Sequence, residues 1–184
     1  MAYSPDEEED PKKELSDQQT RSAVNASRFL SAWANPPGTD DNGKIDIETL
    51  SGWIADVRQL AKERRYLSSC DYALGGLLGR FVGPEPTGAA WPPAEICHIL
   101  EELNSQDMDD SFYSSIRYGR GFVSRSMNEG GVQERKLAAS FSKSAEGVGK
   151  QWPRTSGILR TIADSYEKNA IREDSEVKRR DLGL

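Results

Sequence analysis

Histidine and cysteine are nearly absent from this chain of 184 residues, which has one histidine, His98, and two cysteines, Cys70 and Cys97. A zinc site built from His and Cys needs about four such ligands, and Cys97, beside His98 in sequence, points elsewhere around a helix. No metal centre is expected. A nucleophilic triad needs a base in reach of an activated Ser or Cys, and no Gly-x-Ser-x-Gly elbow occurs. Two cysteines are too few for a disulfide framework; both lie in segments patterned as helix faces and read as small core residues. No apolar run approaches the roughly 20 residues that span a bilayer, and the first ten residues have neither a basic n-region nor an apolar h-region. The chain therefore reads as soluble, unprocessed and cytoplasmic, with no membrane partner. A Walker loop is lacking, and Gly119-Arg120-Gly121 follows no strand pattern, so nothing predicts a nucleotide cofactor or any other.

Charge is abundant, and unevenly placed. Residues 1 to 20 carry a net −5, residues 21 to 116 a net −6, and residues 117 to 184 a net +5. The mean hydropathy of −0.70 implies a very polar surface. A modest basic surplus in the last third can steer an acidic partner, but it equally describes a solvated helix surface. The acidic residues Glu7-Glu8-Glu9-Asp10, between Pro5 and Pro11, have almost nothing to bury. Residues 1 to 15 are therefore expected to form a flexible leader or linker, and 16 to 184 a single helical domain.

Apolar residues recur at steps of three and four, and no period-two alternation of useful length appears. A first helix is expected from Ser16 or Asp17, through Ala23, Phe29, Leu30 and Trp33, to the stop at Pro36-Pro37. The second is the clearest: Asp46 caps it, and Ile47, Leu50, Trp53, Ile54, Val57, Leu60 and Ala61 form its stripe. Burying each large member would contribute ~1.5 to 3 kcal/mol, which makes the stripe core rather than a cofactor box. A third runs from about Ser69 to Phe81 and holds Gly75, Gly76 and Gly79. Each glycine costs a helix about 1 kcal/mol against alanine, which close approach of a neighbouring helix would offset. A fourth opens at Trp91-Pro92-Pro93, and a fifth begins near Asp109, Asp110 or Ser111 and passes Gly119. A sixth follows Gly130-Gly131, and a long last helix follows Trp152-Pro153. The pattern predicts an all-α bundle of about seven helices with short loops.

The stretch Gly38-Thr39-Asp40-Asp41-Asn42-Gly43-Lys44-Ile45-Asp46-Ile47-Glu48-Thr49 imitates a calcium loop. With Gly43 at loop position 6, Asp40, Asn42 and Asp46 fall at ligand positions 3, 5 and 9. Positions 1 and 12, which need an anchoring Asp and a bidentate Glu, become Gly38 and Thr49. The stretch is expected to be a polar turn in which Gly43 takes positive φ and Asp46 caps the next helix.

One constellation could carry chemistry. Arg117, Arg120 and Arg125 surround two glycines and the aromatics Tyr118 and Phe122, with Arg135 and Arg154 further on. Glycine lets backbone approach a ligand, arginine binds phosphate or carboxylate bidentately, and aromatic rings stack on bases. These five arginines are the candidate ligand-binding residues, for phosphate or nucleic acid. In the competing reading they bridge helices by pairing with Glu129, Glu134 or the acidic middle segment. The pairs Glu101-Glu102 and Asp109-Asp110 diverge around a helix and read as solvated surface or helix-dipole partners.

Trp91-Pro92, Arg120-Gly121, Gly130-Gly131-Val132-Gln133-Glu134-Arg135-Lys136-Leu137-Ala138, Trp152-Pro153-Arg154-Thr155 and Ile162-Ala163-Asp164-Ser165-Tyr166-Glu167, together with Pro37-Gly38 and the Gly43 turn, resemble a helical module. Such modules occur toward the C-terminus of long bacterial proteins of unassigned role. The resemblance covers roughly residues 26 to 180 and departs from that pattern at Tyr118, where the pattern has Asn. It brings no catalytic residues. It implies a non-enzymatic interaction or scaffold module, a piece of a larger bacterial protein, whose partner is another protein or other domains of the same chain. Phosphate or nucleic-acid binding through the arginines is the alternative.

Overall fold

Asp46 turns its carboxylate onto the backbone N–H of Glu48 at 3.1 Å and the hydroxyl of Thr49 at 2.7 Å. The chain thus enters α1 (Ile47–Glu63) with the cap its sequence predicts. Before it, Asp40 accepts from the N–H groups of Asn42 and Lys44, both at 2.9 Å, and Gly43 has φ +79°. The calcium-like stretch is therefore a self-satisfied turn, pinned by an isolated antiparallel bridge between Thr39 and Ile45. Asp40 and Asp46 spend their oxygens on backbone and hydroxyl donors, and those bonds hold both carboxyls below the usual range.

The computed structural model describes residues 33, 35–83, 85–86, 91–120 and 129–182. After α1 come α2 (Leu67–Val82), α3 (Ala94–Leu103), α4 (Gln106–Tyr118), α5 (Val132–Val148) and α6 (Pro153–Asp181). All six lie in one compact unit, residues 35–184. The all-α class is as expected. The count is six among the described residues rather than about seven, and the acidic leader and the first expected helix fall outside them. No helix among the described residues is long and apolar enough to cross a membrane.

Several helix boundaries differ from the sequence pattern: α2 begins at Leu67 rather than about Ser69, and α4 ends at Tyr118 rather than passing Gly119. The fourth expected helix begins at Ala94, after the prolines, because the Pro93 carbonyl takes the N–H groups of Ile96 and Cys97. The fifth begins at Gln106, three to five residues earlier than expected. Asn104 takes the left-handed conformation, with φ 47°, and closes α3, so that Ser105 becomes the N-cap and Asp109 lands inside the helix.

Packing follows two intimate pairs, α2 with α4 and α5 with α6, joined by the contact of α4 with α6; α1 lies on α2, and α3 on α6. In the first pair the glycines are the cause. A Cβ on Gly75 would collide with the Met108 carbonyl, one on Gly79 would come within 2.6 Å of the Ser115 Cβ, and Ser115 donates to the Gly76 carbonyl at 2.9 Å. The helix penalty of these glycines is offset by an approach no larger residue permits. Gly131 serves α5 and α6 in the same way, with the Ala170 backbone against it. Leu50, Ile54, Leu78, Ile96, Phe112, Ile116, Phe141, Leu159 and Ile162 fill the interior. Trp91 meets Phe141 edge-on at 5.6 Å and donates its indole N–H to the Val82 carbonyl at 2.8 Å.

The α1 stripe is narrower than its spacing suggested. Leu60 is 57% exposed and Tyr72 of α2 is 52% exposed. Two helix starts are capped from elsewhere in the fold. The Gly131 N–H of α5 donates to Asp174 of α6 at 2.8 Å, and the Thr155 N–H of α6 donates to Glu101 of α3 at 2.8 Å. Each carboxylate meets orphan donors and the positive end of a helix dipole.

Two glycine substitutions should separate packing from propensity. Gly75→Ala is expected to destabilise by about 2 kcal/mol despite alanine's better helix propensity, because it forces α4 away. Gly52→Ala in α1, where nothing lies within 4 Å of the new methyl, is expected to stabilise by about 1 kcal/mol. Urea unfolding of both variants checks the two signs.

Candidate functional site

The five candidate arginines do not converge on one point. Arg117, in the last turn of α4, donates through Nε to the Ser165 hydroxyl at 2.6 Å. Its guanidinium lies 4.3 Å from the centroid of the Tyr166 ring and 5.7 Å from that of Tyr118. Tyr166 in turn stacks on Phe141 at 5.6 Å. Arg120, in the turn after α4, donates to Glu85 at 2.6 Å. Arg135 pairs with Asp174 and approaches Glu167 at 3.8 Å. Arg154 reaches Asp109 at 2.5 Å and also donates to Asn104. Arg125 lies outside the described residues.

The fold therefore sets Arg117 over the Tyr166 ring, with Arg120 three residues on in the following turn; burial raises the Tyr166 phenol, and the charges of both arginines oppose the rise. The fold leaves Arg154 eleven residues up α6 from Ser165, roughly 16 Å away along the axis. Arg120 and Arg154 pair with carboxylates of the middle segment, Glu85 and Asp109. Arg135 pairs instead with its neighbouring helix α6. Among the described residues, Arg117 meets hydroxyl and ring faces but no carboxylate.

Of the inward-facing acids, the sequence pattern does not single out Asp71; it makes Asp109 a solvated-surface residue or helix-dipole partner, and Glu134 a partner for the arginines. Asp71, on the inner face of α2, receives Arg58 of α1 through two bonds of 2.7 and 3.0 Å. Asp109 and Glu134 are buried on the inner faces of α4 and α5. Burial pushes the Asp109 carboxyl above its ordinary value, and Arg154 opposes that rise. The available signal was spacing: Asp71 with Leu74 and Leu78, Asp109 with Phe112 and Ile116, and Glu134 with Leu137 and Phe141 each occupy positions i, i+3 and i+7 of an apolar stripe.

The cysteines separate by depth. Cys97 is fully buried, and desolvation pushes its thiol up to about 12. Cys70 is half-buried, with a thiol raised by the same cause. Neither environment makes a reactive thiolate at neutral pH. Among the described residues no group of three His, Cys, Asp or Glu side chains is arranged to hold a metal ion. His98 lies on the outer side of α3, 3.3 Å from Glu102.

A separate feature lies between α1 and α3. Ser51, Gly52, Ala55, Gln59 and Lys62 of α1 face Ile99, Glu102 and Leu103 of α3 across an open groove of about 570 Å³, with Leu67 also in its wall. Its floor is apolar, through Ile54, Ile99 and Leu103, and its rim is charged, through Arg58, Lys62 and Glu102. Gly52 gives it width, since a side chain there would project into unoccupied space.

The chain matches no family model, no curated protein and no solved structure.

Two carboxylates of the seams should answer acid in opposite senses. The Arg135 guanidinium and the Gly131 N–H hold Asp174 below its ordinary value of 3.8. Its contribution to stability is present above 3.8 and is lost as pH falls through the lower folded value. The gap in melting temperature between the wild type and Asp174→Asn should therefore be full at neutral pH and close in strong acid. Asp109 has a raised folded value, so its contribution is greatest below 3.8 and declines as pH rises through that folded value. Melting curves of the wild type, Asp174→Asn and Asp109→Asn across the acid range check both signs.

Proposed function

We propose that this chain is a non-enzymatic helical module that holds another protein, or another part of a longer bacterial chain, in the groove between α1 and α3. The observation that carries this reading is the groove: an apolar floor with a charged rim is a common composition for a helix-sized or peptide-sized docking site. The glycine in its wall adds to this. Gly75, Gly76 and Gly79 each have a neighbouring helix against them, whereas Gly52 faces open space. A helix tolerates such a residue at a cost of about 1 kcal/mol, and a partner backbone seated against it would make use of the gap.

The arginine seams support the same reading over nucleic-acid binding. A nucleic-acid interface needs several guanidinium or ammonium groups free to replace counterions along a backbone. Here Arg58, Arg120, Arg135 and Arg154 are each paired with a carboxylate of the chain itself. The setting is taken to be the cytoplasm, where the two unpaired cysteines would stay reduced.

A photo-crosslinking amino acid placed at Gln59, in the groove, tests the reading in bacterial cells that make the chain. The expected result is a discrete protein adduct from Gln59 that resists nuclease and disappears when Gly52→Arg fills the groove, with circular dichroism and melting temperature preserved. A crosslinker at Arg160, on exposed α6 surface, should give no such adduct. An adduct that survives Gly52→Arg, or that forms equally from Arg160, would contradict the reading.

A further inference from the structure

Arg117 and Arg120 are three residues apart, so the end of α4 and the turn after it present both guanidinium groups on one side. The two are treated differently by the rest of the chain. Arg120 is satisfied by Glu85, a residue whose side chain is 47% exposed. Arg117 has the Ser165 hydroxyl and the Tyr166 ring beside it, and no carboxylate among the described residues. Two positive charges against one negative leave this cluster at +1.

A second, independent observation lies on α6. Tyr166 is 2% exposed, yet among the described residues its hydroxyl has no hydrogen-bond partner of good geometry, the Arg117 guanidinium being the donor beside it. A buried phenol left without a partner costs as much as a lost hydrogen bond, so an unpaired one calls for an explanation. The Arg117 guanidinium lies 4.3 Å from the centroid of the Tyr166 ring; burial raises the phenol's ionisation, and the charges of Arg117 and Arg120 oppose that rise. Among the described residues the cluster thus holds two cations, a hydroxyl in Tyr166 whose proton finds no acceptor, a second hydroxyl in Ser165, and the carboxylate of Glu85.

We propose that Arg117 and Arg120, with the hydroxyls of Ser165 and Tyr166, form a seat for a phosphate monoester, and that Glu85 occupies part of that seat as a built-in competitor. A phosphate monoester carries close to two negative charges at neutral pH and three acceptor oxygens. It can meet both guanidinium groups at once, where Glu85 reaches only Arg120. Displacing Glu85 costs little, because its own side chain is 47% exposed and an ion pair open to water on one side contributes little to stability. The Tyr118 ring, 72% exposed and 5.7 Å from the Arg117 guanidinium, stands at the mouth of the seat and suits an aromatic ester group. The seat is separate from the α1–α3 groove and stands whether or not that groove holds a partner.

The test uses the full chain labelled with ¹⁵N and follows the arginine Nε–H signals during titration with phenyl phosphate above pH 7, with benzoate as the monoanionic control. The expected result is saturable movement of the Arg117 and Arg120 signals, with phenyl phosphate bound at least tenfold more tightly than benzoate. Glu85→Gln should tighten phosphate binding roughly fivefold, the factor that an exposed ion pair of ordinary strength corresponds to. Arg120→Gln and, as a milder change, Ser165→Ala should each weaken it with the melting temperature kept. The proposal is overturned by an absence of saturable movement in both the wild type and Glu85→Gln. It is equally overturned by benzoate binding as tightly as phenyl phosphate, or by phosphate binding indifferent to Arg120→Gln and Ser165→Ala.

Discussion

A carboxylate of one helix bound to a guanidinium or a backbone N–H of another is the interaction on which this architecture depends. Apolar faces bring helices together without dictating which pair or in what register, since hydrophobic attraction has no direction. Direction comes from Asp71 receiving both arms of Arg58, from Asp109 receiving Arg154, and from Asp174 receiving Arg135 and the Gly131 N–H at once. Glu101 does the same for the start of α6. An acid on an inner helix face is costly unless paired. The inward placement of Asp71 and Asp109 therefore penalises every arrangement that separates them from their arginines.

The glycines complete this constraint. Gly75 and Gly79 let α4 approach α2 so closely that backbone meets backbone, and Gly131 does so for α6 against α5. Such pairs cannot slide without collision, which leaves a stiff frame. Both proposed binding features sit at the edges of that frame. The groove lies where α1 and α3 border each other, and the phosphate seat lies where the end of α4 meets the middle of α6. A rigid support holds a docking surface in shape before any partner arrives, and so lowers the ordering cost of binding.

Helix periodicity was legible because it is local. The stripes of α1, α3, α5 and α6 can be read from spacing alone, and the Gly43 turn and Asp46 cap follow from the chemistry of three or four neighbouring residues. The start of α4 was misplaced for a local reason as well. Asp109 looks like a capping acid, and only the left-handed Asn104 shows that the cap comes earlier. Leu60 and Tyr72 have core spacing, but the bundle leaves both more than half exposed. The candidate site was legible only in part. Arginines 117 and 120 share a turn, so their proximity is written in the sequence. Their partners lie 48 and 35 residues away, at Ser165 and Glu85. Arg154 and Asn104 are 50 residues apart. Nothing local specifies such pairs, because they exist only once α6 has packed against α3 and α4 and the turn after α4 has met the segment after α2. The groove was equally hidden, since an open glycine and a packed one look alike in a sequence.

The most direct test of the account is a double-mutant cycle on Arg58 and Asp71, measured by urea unfolding of the wild type, Arg58→Leu, Asp71→Asn and the double variant. If cross-helix charge pairs fix the packing, the coupling should be about 2 kcal/mol, within the range found for residues sharing one ion-pair network. A coupling below about 0.5 kcal/mol, the level of independent or solvent-exposed pairs, would show that apolar burial alone selects the arrangement and would contradict the account.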